Sequence, residues 1–228
     1  MSKLEPPGRS TILRAAVGIG LYAGAFGMAY GAVAVGSGLS VAQAMGLSLV
    51  LFTGASQFAF VGVVAAGGSP LAAVPAALLL GVRNAFYGMP LSQILHLRGW
   101  RRRLWTAHFV IDETTAMAVG QPTRELQRYA FWVTGLILFP LWQLGSLTGA
   151  LVGAAIDPAD FGLEAAAPAV FLALLWPALQ RRDGRLVALA GAAVALALVP
   201  IAPAGVPVIA AAGVALVAGL RRPWGVAS

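Results

Sequence analysis

The sequence predicts an all-α integral membrane protein. The expected architecture is a polytopic helical bundle of about six full spans plus two broken or re-entrant segments, with eight spans as the alternative, in one transmembrane domain over residues 1–228. Three observations lead there. Hydrophobic residues make up 59% of the 228 and charged residues only 10%, where a soluble domain averages about a quarter charged. Apolar runs recur at or near the ~18–20 residues that a helix needs to cross a bilayer. Two of those runs are interrupted at their centres by clustered polar residues.

The composition also narrows the function classes. With no cysteine, disulfides, thiolate metal sites and thiol nucleophiles drop out. The net charge is +7 and the mean hydropathy +0.84. The basic residues fall between the apolar runs, which points to cytoplasmic loops at a bilayer rather than to nucleic acid.

Residues 1–14 form a short polar tail. The run 15–35 is too long and too glycine-rich for the apolar core of a cleaved signal peptide, and reads as the first span. Its Gly20, Gly24, Gly27 and Gly31 put small residues along one helix face, where a second helix can approach closely. The run 41–67 is broken at its centre by Thr53, Gly54, Ala55, Ser56 and Gln57. Polar groups at that depth belong to a structural bend or to a broken helix that lines a cavity and offers free backbone groups to a solute.

The run 71–97 carries Arg83 close to its middle, with Gly81, Asn84, Tyr87 and Gly88 around it. A mid-bilayer arginine costs about 2.5–3.5 kcal/mol even on lenient insertion scales, so it needs protein, water or a partner. It is either a staple to backbone carbonyls or part of a solute path. Residues 98–103, RGWRRR, are densely basic. The run 104–120 then holds His108, Asp112, Glu113, Thr114 and Thr115. On a continuous helix His108, Asp112 and Thr115 share a face and Glu113 points elsewhere; a surface turn is the alternative.

The longest run, 129–156, contains Trp142 and the ladder Gly145, Gly149 and Gly153, a second face suited to helix packing. An acidic loop follows at 157–164, then a span at 165–179, a basic turn at 181–185, and spans at 186–200 and 206–220. The last two contain almost only Ala, Val, Leu and Gly and read as scaffold or docking surface.

Loop charges arbitrate between the topologies. They are +2 in the tail, +4 at 98–103, +1 at 124–128, −3 at 157–164, +2 at 181–185 and +2 at the C-terminus. With eight simple crossings and the N-terminus inside, the +4 cluster falls outside. If 41–67 and 104–120 each return to their own side, that cluster moves inside and every loop obeys the positive-inside rule. Both arrangements put the N- and C-termini in the cytoplasm.

Five short motifs in order resemble the AzlC family, the large subunits of bacterial branched-chain amino acid exporters. They are Gly54-Ala55-Ser56-Gln57-Phe58, Arg83 followed by Tyr87-Gly88, Asp112-Glu113-Thr114, Trp142 with its glycine ladder, and Asp157-Pro158 with Gly162-Leu163. The resemblance runs from about residue 15 to 179. The family usually reads Asn-Leu-Arg-His around its buried arginine, where this chain has Gly81-Val82-Arg83-Asn84, and Glu164 stands where the family often has Asp. The first departure bears on which solute is carried.

The resemblance implies a multi-pass permease of the bacterial cytoplasmic membrane and a small hydrophobic companion subunit, AzlD. The expected role is secondary export of branched-chain amino acids or similar small zwitterions. Nothing resembles a nucleotide-binding loop, and no cofactor or metal is expected. Arg83 suits the carboxylate of such a solute, with Asn84, Tyr87, Gly54, Ser56 and Gln57 beside it. Asp112, Glu113 and His108 are the candidates for the ammonium and for coupling to protons, and Gly145, Gly149 and Gly153 for helix packing. An intramembrane enzyme built on His108, Asp112 and Glu113 is the other class. It has no His-Glu-x-x-His pattern and no lysine beyond Lys3. A channel or structural subunit is the third.

Overall fold

The computed structural model describes residues 8–155, 172, 175–203 and 205–220. Among these the secondary structure is helical with no strand. The elements are α1 (Arg9–Gly36), α2 (Val41–Val50), α3 (Ala55–Ala65), α4 (Pro70–Leu95), α5 (Trp100–His108), α6 (Asp112–Val119), α7 (Arg124–Ala155), α8 (Arg182–Leu198) and α9 (Val206–Leu220). The acidic loop 157–164, most of the expected span 165–179 and the basic residues Arg221 and Arg222 lie outside the described residues, as do residues 1–7.

Among the described residues three helices are long and apolar enough to cross a membrane: α1 with 28 residues, α4 with 26 and α7 with 32. At 1.5 Å per residue even the shortest reaches about 39 Å, more than the ~30 Å hydrocarbon core. The polar interruptions in the sequence correspond to real breaks. Residues 51–54 separate α2 from α3, and residues 109–111 separate α5 from α6.

α1 packs chiefly on α7, and the two glycine ladders form their seam. A Cβ added to Gly145 would overlap the Gly24 carbonyl, one on Gly149 the Met28 carbonyl, and one on Gly31 the Ser146 carbonyl, while one on Gly153 would come within 3.1 Å of Ala32 Cα. Backbones this close need glycine, and the contact is van der Waals packing of main chain on main chain. The register advances by four residues on both helices together, and Arg9 pairs with Glu125 at their first turns. α1 and α7 therefore run parallel.

α4 runs the other way. The Arg128 Nε donates to the Ile94 carbonyl at 2.8 Å, and the Arg124 guanidinium donates to the Gln93 carbonyl. The last carbonyls of a helix lack intrahelical donors and carry its negative dipole end, and α7 supplies both a donor and a positive charge. The start of α1, the end of α4 and the start of α7 thus share one face of the bundle, called here the near face. The end of α1 and the start of α4 lie on the far face.

A consequence follows for the broken segments. α2 and α3 lead from the end of α1 to the start of α4, so they leave the far face and return to it. α5 and α6 lead from the end of α4 to the start of α7, so they leave the near face and return to it. Side-chain packing fixes how deep each reaches. Gly81, near mid-α4, faces the Ser56 hydroxyl at the start of α3, and Gly135 in α7 faces Phe109 between α5 and α6. The two breaks meet in the middle of the bundle.

Candidate functional site

Each break is tied by a side chain three residues into the helix that follows it. At the first, the Gly54 N–H donates to Gln57 Oε1 at 3.1 Å, and Gly54 itself sits at φ 46°, where a Cβ would be strained. At the second, the Ile111 N–H donates to Thr114 Oγ1 at 3.2 Å while that hydroxyl donates to the Phe109 carbonyl at 2.6 Å. Unpaired main-chain groups inside a membrane protein are costly, so these bonds let the chain stop and restart a helix at this depth. α2 is held from two sides. Tyr30 of α1 donates to the Ala44 carbonyl at 2.8 Å, and Trp142 Nε1 of α7 donates to Ser48 Oγ at 3.1 Å.

Where the breaks meet there is a cavity of about 150 Å³, below the ~300–1,000 Å³ of drug-sized sites. Phe52, Thr53, Gly54 and Ala55 line it from the first break, and Ile111, Asp112 and Glu113 from the second. α4 adds Arg83 and Asn84, α7 adds Leu138 and Trp142, and α1 adds Tyr22, Ala23 and Phe26. Arg83 Nη2 lies 2.9 Å from Asp112 Oδ2. Their side chains are 44% and 40% exposed, so the pair opens onto the cavity instead of being sealed in the core. Tyr87, one turn beyond Arg83, lies against Asp112. Thr53 Oγ1, Asn84 Oδ1 and Asp112 Oδ1 are buried and hydrogen-bond to nothing in the protein. One wall is aromatic, with Phe26 against Trp142 at 6.4 Å between ring centres, and the buried Phe58 supports Phe26 from behind at 5.3 Å.

His108 and Asp112 do not share a helix face, because the chain breaks at 109–111 between them. His108 instead stacks on Phe52 at 5.8 Å and does not line the cavity. Glu113, expected to point elsewhere, does line it, since it is in the first turn of a new helix. Ser56 and Gln57 do not reach the cavity surface: both are fully buried, and the Gln57 carbonyl oxygen is used in tying the break. Phe26, Phe52, Ile111 and Leu138 were not singled out from sequence. Phe52 and Ile111 directly flank the polar clusters, which is the signal that was available; Phe26 and Leu138 carry none.

Residues 18–156 match the family described as AzlC protein. The chain is 29% identical over 195 residues to the inner membrane protein YgaZ of Escherichia coli K12, covering 82% of this chain and 78% of that protein. It is 32% identical over 188 residues to an uncharacterized membrane protein of Archaeoglobus fulgidus, covering 80% and 81%. It is 27% identical over 172 residues to one of Helicobacter pylori strain J99, covering 75% of each. No solved structure matches. The matched segment begins inside α1 and ends after α7, so it takes in both breaks and every residue lining the cavity.

Proposed function

The chain belongs to the AzlC family, and from that premise we propose that it is a secondary-transport permease exporting branched-chain amino acids or similar small zwitterions across the cytoplasmic membrane. The observation that carries the proposal is the meeting of two broken helical hairpins, one from each face, at an arginine–aspartate pair in a small cavity. α2–α4 and α5–α7 have the same make-up, a hairpin broken at mid-depth followed by a long helix, and they enter from opposite faces. Inverted units of this kind, with discontinuous helices at the centre, are a recurrent basis of alternating access. Rocking one unit against the other would open the same cavity to each side in turn.

The chemistry matches a zwitterion with an apolar side chain. Arg83 presents a planar donor fork to a carboxylate, and Asp112 and Glu113 offer negative charge to an ammonium. The wall of Phe26, Phe52, Leu138 and Trp142 takes the side chain. In this state Arg83 and Asp112 satisfy each other, and an entering zwitterion replaces one internal ion pair by two matched ones. Asn84 and Tyr87 flank that exchange. Protons are the proposed driving ion, with Asp112 or Glu113 as carrier. The reading includes six full spans and two re-entrant segments, the near face cytoplasmic because it holds the +4 cluster, and a small hydrophobic companion subunit.

The test is efflux of leucine from preloaded reconstituted vesicles, scored per folded molecule. Arg83→Lys keeps the charge and loses the fork, so efflux falls sharply at near-normal protein level. Near-normal efflux per molecule in Arg83→Ala would overturn the assignment of Arg83 to substrate. Release of a chemically altered solute would overturn transport itself in favour of catalysis.

A further inference from the structure

The basic motif at residues 98–103 takes no part in the cavity described above, and it sits beside a second, larger one. This cavity holds about 540 Å³ between the last two turns of α4 and the outer side of α5. Gly88, Leu91 and Leu95 line it on α4, Ala107 and Val110 at its inner end, and Arg98 and Arg103 at its mouth. We propose that it is a binding site for one anionic phospholipid, the arginines holding the phosphodiester and the apolar slot taking an acyl chain.

α4 is longer than the hydrocarbon core is thick, so its C-terminal end, and with it Arg98 and Arg103, sits at headgroup level on the near face. Leu91 is one turn deeper, where acyl chains begin. His96 at φ 48° ends α4 and Gly99 at φ 85° precedes α5, and this sharp reversal sets α5 beside the last turns of α4 with the slot between them. The Arg103 Nε donates to the Leu97 carbonyl at 3.3 Å, which ties the guanidinium to the linker while the side chain remains exposed.

Arg98, Arg101, Arg102 and Arg103 are all exposed, and among the described residues no carboxylate pairs with any of them. Four positive charges without a carboxylate partner at a membrane surface attract anionic lipid, and basic pockets between membrane helices are a recognised seat for such headgroups. Trp100 and Trp105, each 70% exposed, flank the cluster with side chains that favour the interface. A soluble anion would account for the arginines alone. The apolar slot beneath them is what selects a lipid.

The experiment uses the full-length protein purified in mild detergent. It measures retained phosphatidylglycerol against phosphatidylcholine of the same acyl chains by native mass spectrometry. Wild type retains phosphatidylglycerol about tenfold better, as expected for two engaged arginines partly screened by solvent. Arg98→Gln with Arg103→Gln brings the two lipids close to parity. Arg101→Gln with Arg102→Gln, the same charge loss away from the slot, keeps most of the preference. Gly88→Leu fills the slot at a position where a Cβ meets nothing within 4 Å, so it folds and weakens retention with every arginine intact.

Equal retention of both lipids by wild type would overturn the proposal. So would an equal loss from the two double variants, which would mean diffuse attraction, or displacement by excess inorganic phosphate with Gly88→Leu neutral, which would mean an anion site without a lipid. If the first double variant does not fold, Arg98→Gln alone is read in the same way beside Gly88→Leu.

Discussion

Arg83 of α4 and Asp112 of α6 meet at 2.9 Å, joining a helix that crosses the bundle to the first residue of a helix that begins in the middle of it. Asp112 is in the first turn of α6, where main-chain N–H groups favour a negative charge, and it also neutralises an arginine that otherwise stands alone at mid-depth. The pair ties the second break to α4 at the lining of the cavity.

Asp112→Asn leaves Arg83 without its partner. On insertion scales a lone mid-bilayer charge costs about 2.5–3.5 kcal/mol, so folded protein in the membrane should fall several-fold. Adding Arg83→Gln removes the stranded charge, and abundance recovers while leucine efflux stays lost. Quantitative blotting beside vesicle efflux separates the two effects. Recovery of efflux in the double variant would make the pair a staple only.

The seam between α1 and α7 gives a second expectation. A Cβ on Gly149 overlaps the Met28 carbonyl, and main chain cannot turn aside as a flexible side chain can. Gly149→Ala should cost on the order of 1–3 kcal/mol, the usual range for overpacking, and Gly149→Leu should prevent assembly. Gel-filtration yield and melting temperature report this. Normal yield with an altered substrate profile would contradict a packing role.

The sequence makes these two features visible for different reasons. Both glycine ladders repeat at helical spacing, so the seam was legible on each helix separately, though not that the helices are parallel or that Gly145 faces Gly24. The breaks were legible because polar residues cluster where apolar ones belong. Their return to their own face was legible only through the loop charges; the contact that sets the chain direction, Arg124 and Arg128 reaching the end of α4, joins distant segments and leaves no local pattern. His108 illustrates the limit of spacing arguments. Four residues separate it from Asp112, but that spacing has meaning only on an unbroken helix, and the break falls between them. Phe26 and Leu138 reach the cavity only through packing, which no local pattern marks.

The chain directions give opposite labelling patterns for the two topologies. With both broken segments returning to their own face, Gly68 is outside and Arg102 inside; with eight simple crossings the assignments exchange. The chain has no cysteine, so Gly68→Cys and Arg102→Cys each introduce one thiol. A membrane-impermeant maleimide on intact cells should label the first and spare the second. Gly99 is a poorer position, since its φ of 85° penalises any side chain. Labelling of Arg102→Cys from outside would remove the re-entrant reading.

Gly54 sits at φ 46°, and a Cβ there would lie 3.5 Å from Trp142 Cη2, so there is room but the backbone is wrong for a side chain. Gly54→Ala should cost about 1–3 kcal/mol. The strain acts on the break itself, so the Gly54–Gln57 bond should loosen and efflux should fall together with melting temperature. Gly81 of α4, across from Ser56, has ordinary helical φ, and its Cβ would meet Ser56 Oγ at 3.5 Å, an ordinary contact. Gly81→Ala should be neutral, or stabilising by about 0.5–1 kcal/mol because alanine loses less backbone entropy in a helix. Melting curves of the two variants in the same detergent make the comparison. A tolerant Gly54→Ala with unchanged efflux would show that the first break does not need its left-handed turn, and the account of a pinned discontinuity at the cavity would fail there.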